Sequence, residues 1–174
     1  MQTQTVITIP SVEQAKPEEE WGKWIVRETY KALKTRDVET IHRLLAADIE
    51  WSFHGPPSHQ HMMRVLTGSV TDLSVSSPPF VFNPESVSSI GGFVIVEGQD
   101  KLRDVCWVHV WTVGRNGVIT QVREYFNTSL TIVRLEEIKG GRLNNNLYRR
   151  GCLELWRSKL AGYGWSIPEI ILAI

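Results

Sequence analysis

Residues 107–126 read Trp-Val-His-Val-Trp-Thr-Val-Gly-Arg-Asn-Gly-Val-Ile-Thr-Gln-Val-Arg-Glu-Tyr-Phe. This stretch predicts two long β-strands joined at Asn116-Gly117, a pair that tolerates the positive φ angles of a tight hairpin. Side chains alternate across a strand, so Trp107, His109 and Trp111 share one face of the first strand. On the second strand Val122, Glu124 and Phe126 share a face, and Arg123 and Tyr125 point the other way. A histidine between two tryptophans, opposite a glutamate if the strands pair in that register, implies an apolar cavity with a few polar groups at its wall. Small-molecule sites are built that way.

The 174 residues suffice for one domain with a hydrophobic core. Basic and acidic residues balance at 19 each, so no overall field favours nucleic acid or an anionic membrane. No apolar run approaches the ~20 residues that span a bilayer, and the first residues lack the pattern of a secretory signal. Cys106 and Cys152 give no disulfide framework. The expectation is a reduced, cytoplasmic protein, with the nucleus also open to it. Most of the seven tryptophans, Trp21, Trp24, Trp51, Trp107, Trp111, Trp156 and Trp165, are expected in the core.

Three segments are expected: a mobile arm over residues 1–16, a main domain over 17–135 and a C-terminal extension over 136–174. A helix should start at Pro17, bury Trp21, Trp24, Ile25, Ala32 and Leu33, and end near Thr35. Asp37 is placed to cap a second helix facing inward through Val38, Ile41, Leu44 and Leu45. A short strand follows at 49–53. A third helix capped by Ser58 carries Met62, Val65 and Leu66 and stops at Gly68. After a Ser/Pro-rich connector at 71–79 come strands around 80–82, 85–90 and 93–97, with a turn at Gly91-Gly92 and a loop at 98–103. Residues 127–135 prolong the second long strand or form an irregular one. In the extension, Gly140-Gly141 and Asn144-Asn145-Asn146 suggest a spacer and residues 152–160 an amphipathic helix. The apolar end, residues 167–174, either packs onto its own domain, the preferred reading, or marks a partner site.

Helix, helix, strand, helix and a strand meander is the order of the nuclear transport factor 2-like fold, an α+β cone whose bent sheet wraps around helices to form a pocket. At finer grain the chain resembles the plant wound-induced and senescence-associated protein family of that superfamily. The resemblance rests on residues 49–64 (Ile-Glu-Trp-Ser-Phe-His-Gly-Pro-Pro-Ser-His-Gln-His-Met-Met-Arg), on Trp107-Val108-His109 with Trp111-Thr112-Val113, on residues 119–130 and on the tail from Ser166-Ile167-Pro168 to Leu172-Ala173-Ile174. It covers residues from about 20 to the end. It implies a wound, senescence or stress role, and the family brings no settled biochemical activity. Among enzymes of the superfamily, the ketosteroid isomerases are similar in spacing. Their aspartate base falls at Phe53 with His54 beside it, their tyrosine donor at Thr29 with Tyr30 beside it, and their protonated aspartate at His109. All three positions are altered, so that mechanism does not transfer intact. Limonene-epoxide hydrolases share an acid at Glu124. Their Arg-x-Asp pair falls near Gly98 and Asp100, and their tyrosine and asparagine at Trp51 and Phe53, which argues against that activity.

The candidate catalytic residues are His109, Glu124 and His54, which could shuttle a proton in a cofactor-free isomerisation or cyclisation. Each has a plain alternative: a satisfied core histidine, a surface ion pair and a loop-ordering side chain. Candidate ligand contacts are Trp51, Phe53, Tyr30, Trp107, Trp111, Val122 and Phe126. The spacing of His54, His59 and His61 does not suit a metal, and no metal or cofactor is expected. The expected partners are an apolar small molecule and a second copy of the chain, paired through the exposed sheet, with a protein partner on the tail as a further option. Nucleic acid is not expected, because the aromatic strand carries no basic residues. The rival reading is a non-catalytic stress-response module acting through dimerisation and its tail.

Overall fold

A computed structural model describes residues 12–68, 79–138, 149–160 and 167–174. Residues 1–11 of the arm expected over 1–16, most of the connector, the spacer and Trp165 lie outside them. Helix α1 (Val12–Thr35) begins before Pro17, which sits inside it and forfeits one backbone bond there. Its buried face is Gly22, Ile25, Val26, Thr29, Tyr30, Ala32 and Leu33. Trp21 and Trp24, expected on that face, are 47% and 48% exposed and stack on each other at 5.0 Å. Gly22 explains the rotation. A Cβ there would come 3.2 Å from Val94 Cγ2, so the helix approaches the sheet along its glycine and the tryptophans are left at the flanks.

Asp37 caps α2 (Val38–Leu44) by accepting the Thr40 N–H at 3.0 Å, as its position predicts. Strand β1 (Leu45–His54) is longer than expected and includes His54. Ser58 does not cap the next helix; it lies in a 3₁₀ turn (Pro57–His59) ahead of α3 (His61–Thr67). Gly68 ends α3 at φ 66°, the left-handed conformation that favours glycine. Residues 80–82 form no strand. Then follow β2 (Pro84–Ile90), β3 (Phe93–Asp100), β4 (Val105–Val113) and β5 (Ile119–Phe126). The β4–β5 loop runs from Gly114 to Val118, longer than a two-residue hairpin. Only Gly117 within it takes a positive φ, 77°, while Asn116 Oδ1 accepts the Val118 N–H at 3.2 Å.

These strands form one sheet in the order β1-β5-β4-β3-β2, with β1 parallel to β5 and the other neighbours antiparallel. Its inner face packs Val94, Val96, Trp107, Trp111, Val122 and Phe126 against α1. The order of elements is that of the nuclear transport factor 2-like cone expected from the sequence.

After a turn at Asn127 (φ 48°), β6 (Ser129–Ile138) starts a second sheet in the order β7-β6-β8. Of the segment expected to be a helix, residues 152–157 lie instead in β7 (Arg149–Arg157), antiparallel to β6, because pairing with β6 overrides a weak local helical pattern. The apolar tail is β8 (Glu169–Ala173), parallel to β6. This sheet covers the outer face of the first: Ile95, Val108, Val110 and Tyr125 meet Leu130 and Ile132, with Trp156, Ile170, Leu172 and Ile174 packed alongside. Glu97, 2% exposed, ties the layers together. Its carboxylate accepts Ser86 Oγ, Ser158 Oγ at 2.9 Å and the Lys159 N–H at 3.1 Å. The chain therefore covers the outer face of the five-stranded sheet itself, and the second sheet leaves Leu135, Leu153 and Ile171 exposed. Both cysteines are free, and no helix among the described residues is long and apolar enough to cross a membrane.

Candidate functional site

The β4–β5 register sets His109 directly opposite Glu124 and Trp107 opposite Phe126, all on the inner face. Strand β1 lies on the other side of β5 and brings Phe53 opposite Glu124. From above, α1 lowers Tyr30 onto the same spot. Tyr30, not Thr29, supplies the hydroxyl, because Thr29 Oγ1 donates to the Ile25 carbonyl one turn back.

These side chains form a buried polar relay. The indole N–H of half-buried Trp51 donates to Glu124 Oε2 at 2.7 Å. Glu124 Oε1 lies 3.0 Å from His109 Nε2, and both residues are fully buried. His109 Nδ1 lies 2.6 Å from the Tyr30 hydroxyl, which also accepts the Trp111 indole N–H at 3.2 Å. Burial holds the Tyr30 phenol well above its ordinary range. The Trp111 N–H pulls the other way, and the Glu124 charge adds to the rise. Tyr30 therefore keeps its proton and can donate it to Nδ1. With the phenol as donor, the ring proton sits on Nε2, facing Glu124. The 3.0 Å separation is that of a hydrogen bond, but the ring N–H axis does not line up with Oε1, so both atoms lack an aligned partner. Around the imidazole stand Trp107 at 4.8 Å, Phe82 at 4.9 Å, Trp111 at 5.6 Å, Tyr30 at 5.9 Å and Phe126 at 6.4 Å, between ring centroids.

The structure thus brings together His109, Glu124, Tyr30, Trp51 and Trp111, with Trp107, Val122, Phe126 and Phe53 as apolar wall. It does not bring in His54. That residue is opposite Tyr125 and stacks on it at 4.8 Å, exposed and on the other face of the sheet, because alternation turns it away from Phe53.

Sequence reasoning missed Phe82, which reaches the relay from a segment without regular structure and so has no periodic signal. It also missed a group beyond Phe126, where His61 stacks on Phe80 at 4.1 Å and the His59 ring lies 5.6 Å from Phe126. Burial and the nearby Arg64 push His61 down to about 4 and His59 in the same direction, so both rings are neutral at physiological pH. Among the described residues no three His, Cys, Asp or Glu side chains converge as metal ligands.

Known proteins share much of this chain. The family described as wound-induced protein WI12 matches residues 63–174, a stretch that holds His109 and Glu124 but begins after Tyr30 and Trp51. Senescence associated gene 20 of Arabidopsis thaliana is 46% identical over 114 residues, which are 64% of this chain and all of that protein. Wound-induced protein 1 of Solanum tuberosum is 40% identical over 113 residues, again 64% of this chain and all of that one. Among solved structures, Bal32a from a soil-derived mobile gene cassette has a TM-score of 0.48 at 20% identity, over 63% of this chain and 91% of its own. By sequence, then, the chain belongs to the wound-induced protein WI12 family.

Proposed function

We propose that this protein serves a plant wound or senescence response by holding an apolar, partly oxygenated small molecule against the inner face of its curved sheet and moving a proton on it without a cofactor. The observation that carries this reading is the His109–Glu124 contact, two ionisable side chains 3.0 Å apart and fully buried among aromatic rings, each with an atom lacking an aligned partner. Buried polar atoms rarely stay unpaired without a reason, and titratable groups in apolar surroundings are common at reactive sites. Glu124 removes a proton from the carbon beside a carbonyl and returns it two carbons further along. His109 Nε2–H, backed by Tyr30, steadies the oxygen on which charge develops. Such a ligand enters beside half-buried Trp51, whose indole then releases Glu124 Oε2.

A second reading is a non-catalytic module of the same response, favoured by the complete burial of both groups behind Trp51 and Phe126. The discriminating test incubates the protein with a β,γ-unsaturated cyclic ketone, follows conversion to the conjugated isomer, and runs native mass spectrometry for a co-purified ligand. Turnover that falls about a hundredfold or more in a folded Glu124→Gln variant supports proton transfer. No turnover and no retained ligand leaves the relay a structural device and the second reading in force.

A further inference from the structure

A groove of about 430 Å³ opens on the N-terminal side of the relay along α1, between its residues 18–22, the β2–β3 turn and the β4–β5 loop. Trp21 and Tyr30 are nine residues apart on the helix, so the two places are separated by about 13 Å along its axis. The groove and the relay share no side chain, and this inference does not rest on the chemistry proposed for His109.

Trp21 forms one wall. Although half exposed, its indole is held in place, with one face stacked on Trp24 at an interplanar angle of 14°. Its edge lies against Gly117, where an added Cβ would come 3.3 Å from Cζ2. A fixed, half-open indole is a platform for a flat apolar face, because little entropy is lost when something stacks on it. The two tryptophans are nearly parallel, so they form a platform and not a cage around a cation.

The rim carries charge of both signs. Glu18 and Glu19 line it on the helix side and Arg115 on the loop side. Glu20 is engaged with Lys23, whereas Glu18, Glu19 and Arg115 have no ion-pair partner among the described residues. Gly91 and Gly92 belong to the lining too, and a Cβ on either would meet nothing within 4 Å, so open space stands over the turn.

This combination selects a class of ligand. An anion would face two carboxylates, and a cation drawn to those carboxylates would still have the guanidinium of Arg115 across from it. A neutral polyol meets neither penalty, since each hydroxyl both donates to a carboxylate and accepts from an arginine. A pyranose ring adds an apolar C–H face for the indole. We propose that this groove binds a neutral sugar, free or as part of a glycoside, stacked on Trp21 and hydrogen-bonded by Glu18, Glu19 and Arg115.

The test is saturation-transfer NMR and a binding titration on the full chain, with cellobiose, maltose and methyl β-glucoside as probes. Glucuronate and glucosamine serve as charged comparators. The expected result is transfer from protein to at least one neutral probe, strongest at the pyranose C–H protons. Affinity should fall about tenfold in Trp21→Ala and severalfold in Arg115→Ala, with the urea unfolding midpoint unchanged in Arg115→Ala. The proposal is overturned by silence from all three neutral probes, by binding that survives Trp21→Ala undiminished, or by tighter binding of either charged comparator.

Discussion

Replacing Tyr30 with phenylalanine removes one oxygen from the middle of the relay and leaves the ring, 5% exposed, in place. Apolar burial and packing volume barely change, so the cost comes from the hydrogen bonds. Two groups lose their partner: His109 Nδ1, 2.6 Å from the hydroxyl, and the Trp111 indole N–H, 3.2 Å from it. Both residues are fully buried, so water does not step in. An orphaned buried donor or acceptor costs about 1–3 kcal/mol, and with the longer bond at the low end the pair sums to about 2–4 kcal/mol. With a urea slope near 2 kcal/mol per molar, the unfolding midpoint drops by about 1–2 M. Tyr125→Phe is the control. Tyr125 is equally buried on the other face, and its hydroxyl has no hydrogen bond to a described residue, so its loss should cost under about 0.5 kcal/mol. Urea unfolding followed by tryptophan fluorescence reads both variants. If Tyr30→Phe unfolds within about 0.5 kcal/mol of the parent protein, or no earlier than the control, the relay does not exist as described.

Three further outcomes follow from the packing. His61 titrates at about 4 in the folded protein against an ordinary 6.5, chiefly through burial. As pH falls the unfolded chain therefore takes up the proton first, and stability is complete above about 6.5 and lost progressively toward about 4. His61→Gln should flatten the midpoint-against-pH curve in that window, and equal slopes for variant and parent would contradict the burial. Gly98→Ala would drive a methyl group into the Asn83 carbonyl and the Trp107 ring, costing about 3 kcal/mol or more; an unchanged thermal midpoint would refute that clash. Deleting residues 167–174 strips Ile170, Leu172 and Ile174 from the outer layer and bares Val108, Val110 and Ile132. The shortened chain should self-associate, measured by light scattering on a sizing column, and a truncated protein with no gain in mass over the full chain would be the contrary result.

Where short-range chemistry decides, the sequence was sufficient. The alternation over residues 107–126 placed Trp107, His109 and Trp111 on one face of their strand and grouped Val122, Glu124 and Phe126 on theirs, because successive side chains of a strand take opposite sides; the β4–β5 register then set Glu124 across from the imidazole. Asp37 as a cap, Gly68 as a stop and Gly91-Gly92 as a turn were legible for the same reason: each acts on backbone within a few residues of itself. Other features depended on what arrives from elsewhere in the chain. Residues 149–157 carry a pattern too short to separate helix from strand, and β6 decided it by offering hydrogen bonds. Trp21 and Trp24 have helical spacing with Ile25 yet lie outside, because Gly22 gives the sheet its line of approach. Tyr30 displaced Thr29 as the inward hydroxyl because the docked helix turned it there, and His54 lost its place to the alternation of β1. Even the apolar tail could be read as a partner site until β8 was seen closing the outer face. Backbone preference is a property of neighbours along the chain, whereas burial is set by whichever distant surface fits closest, and only the folded molecule contains that surface.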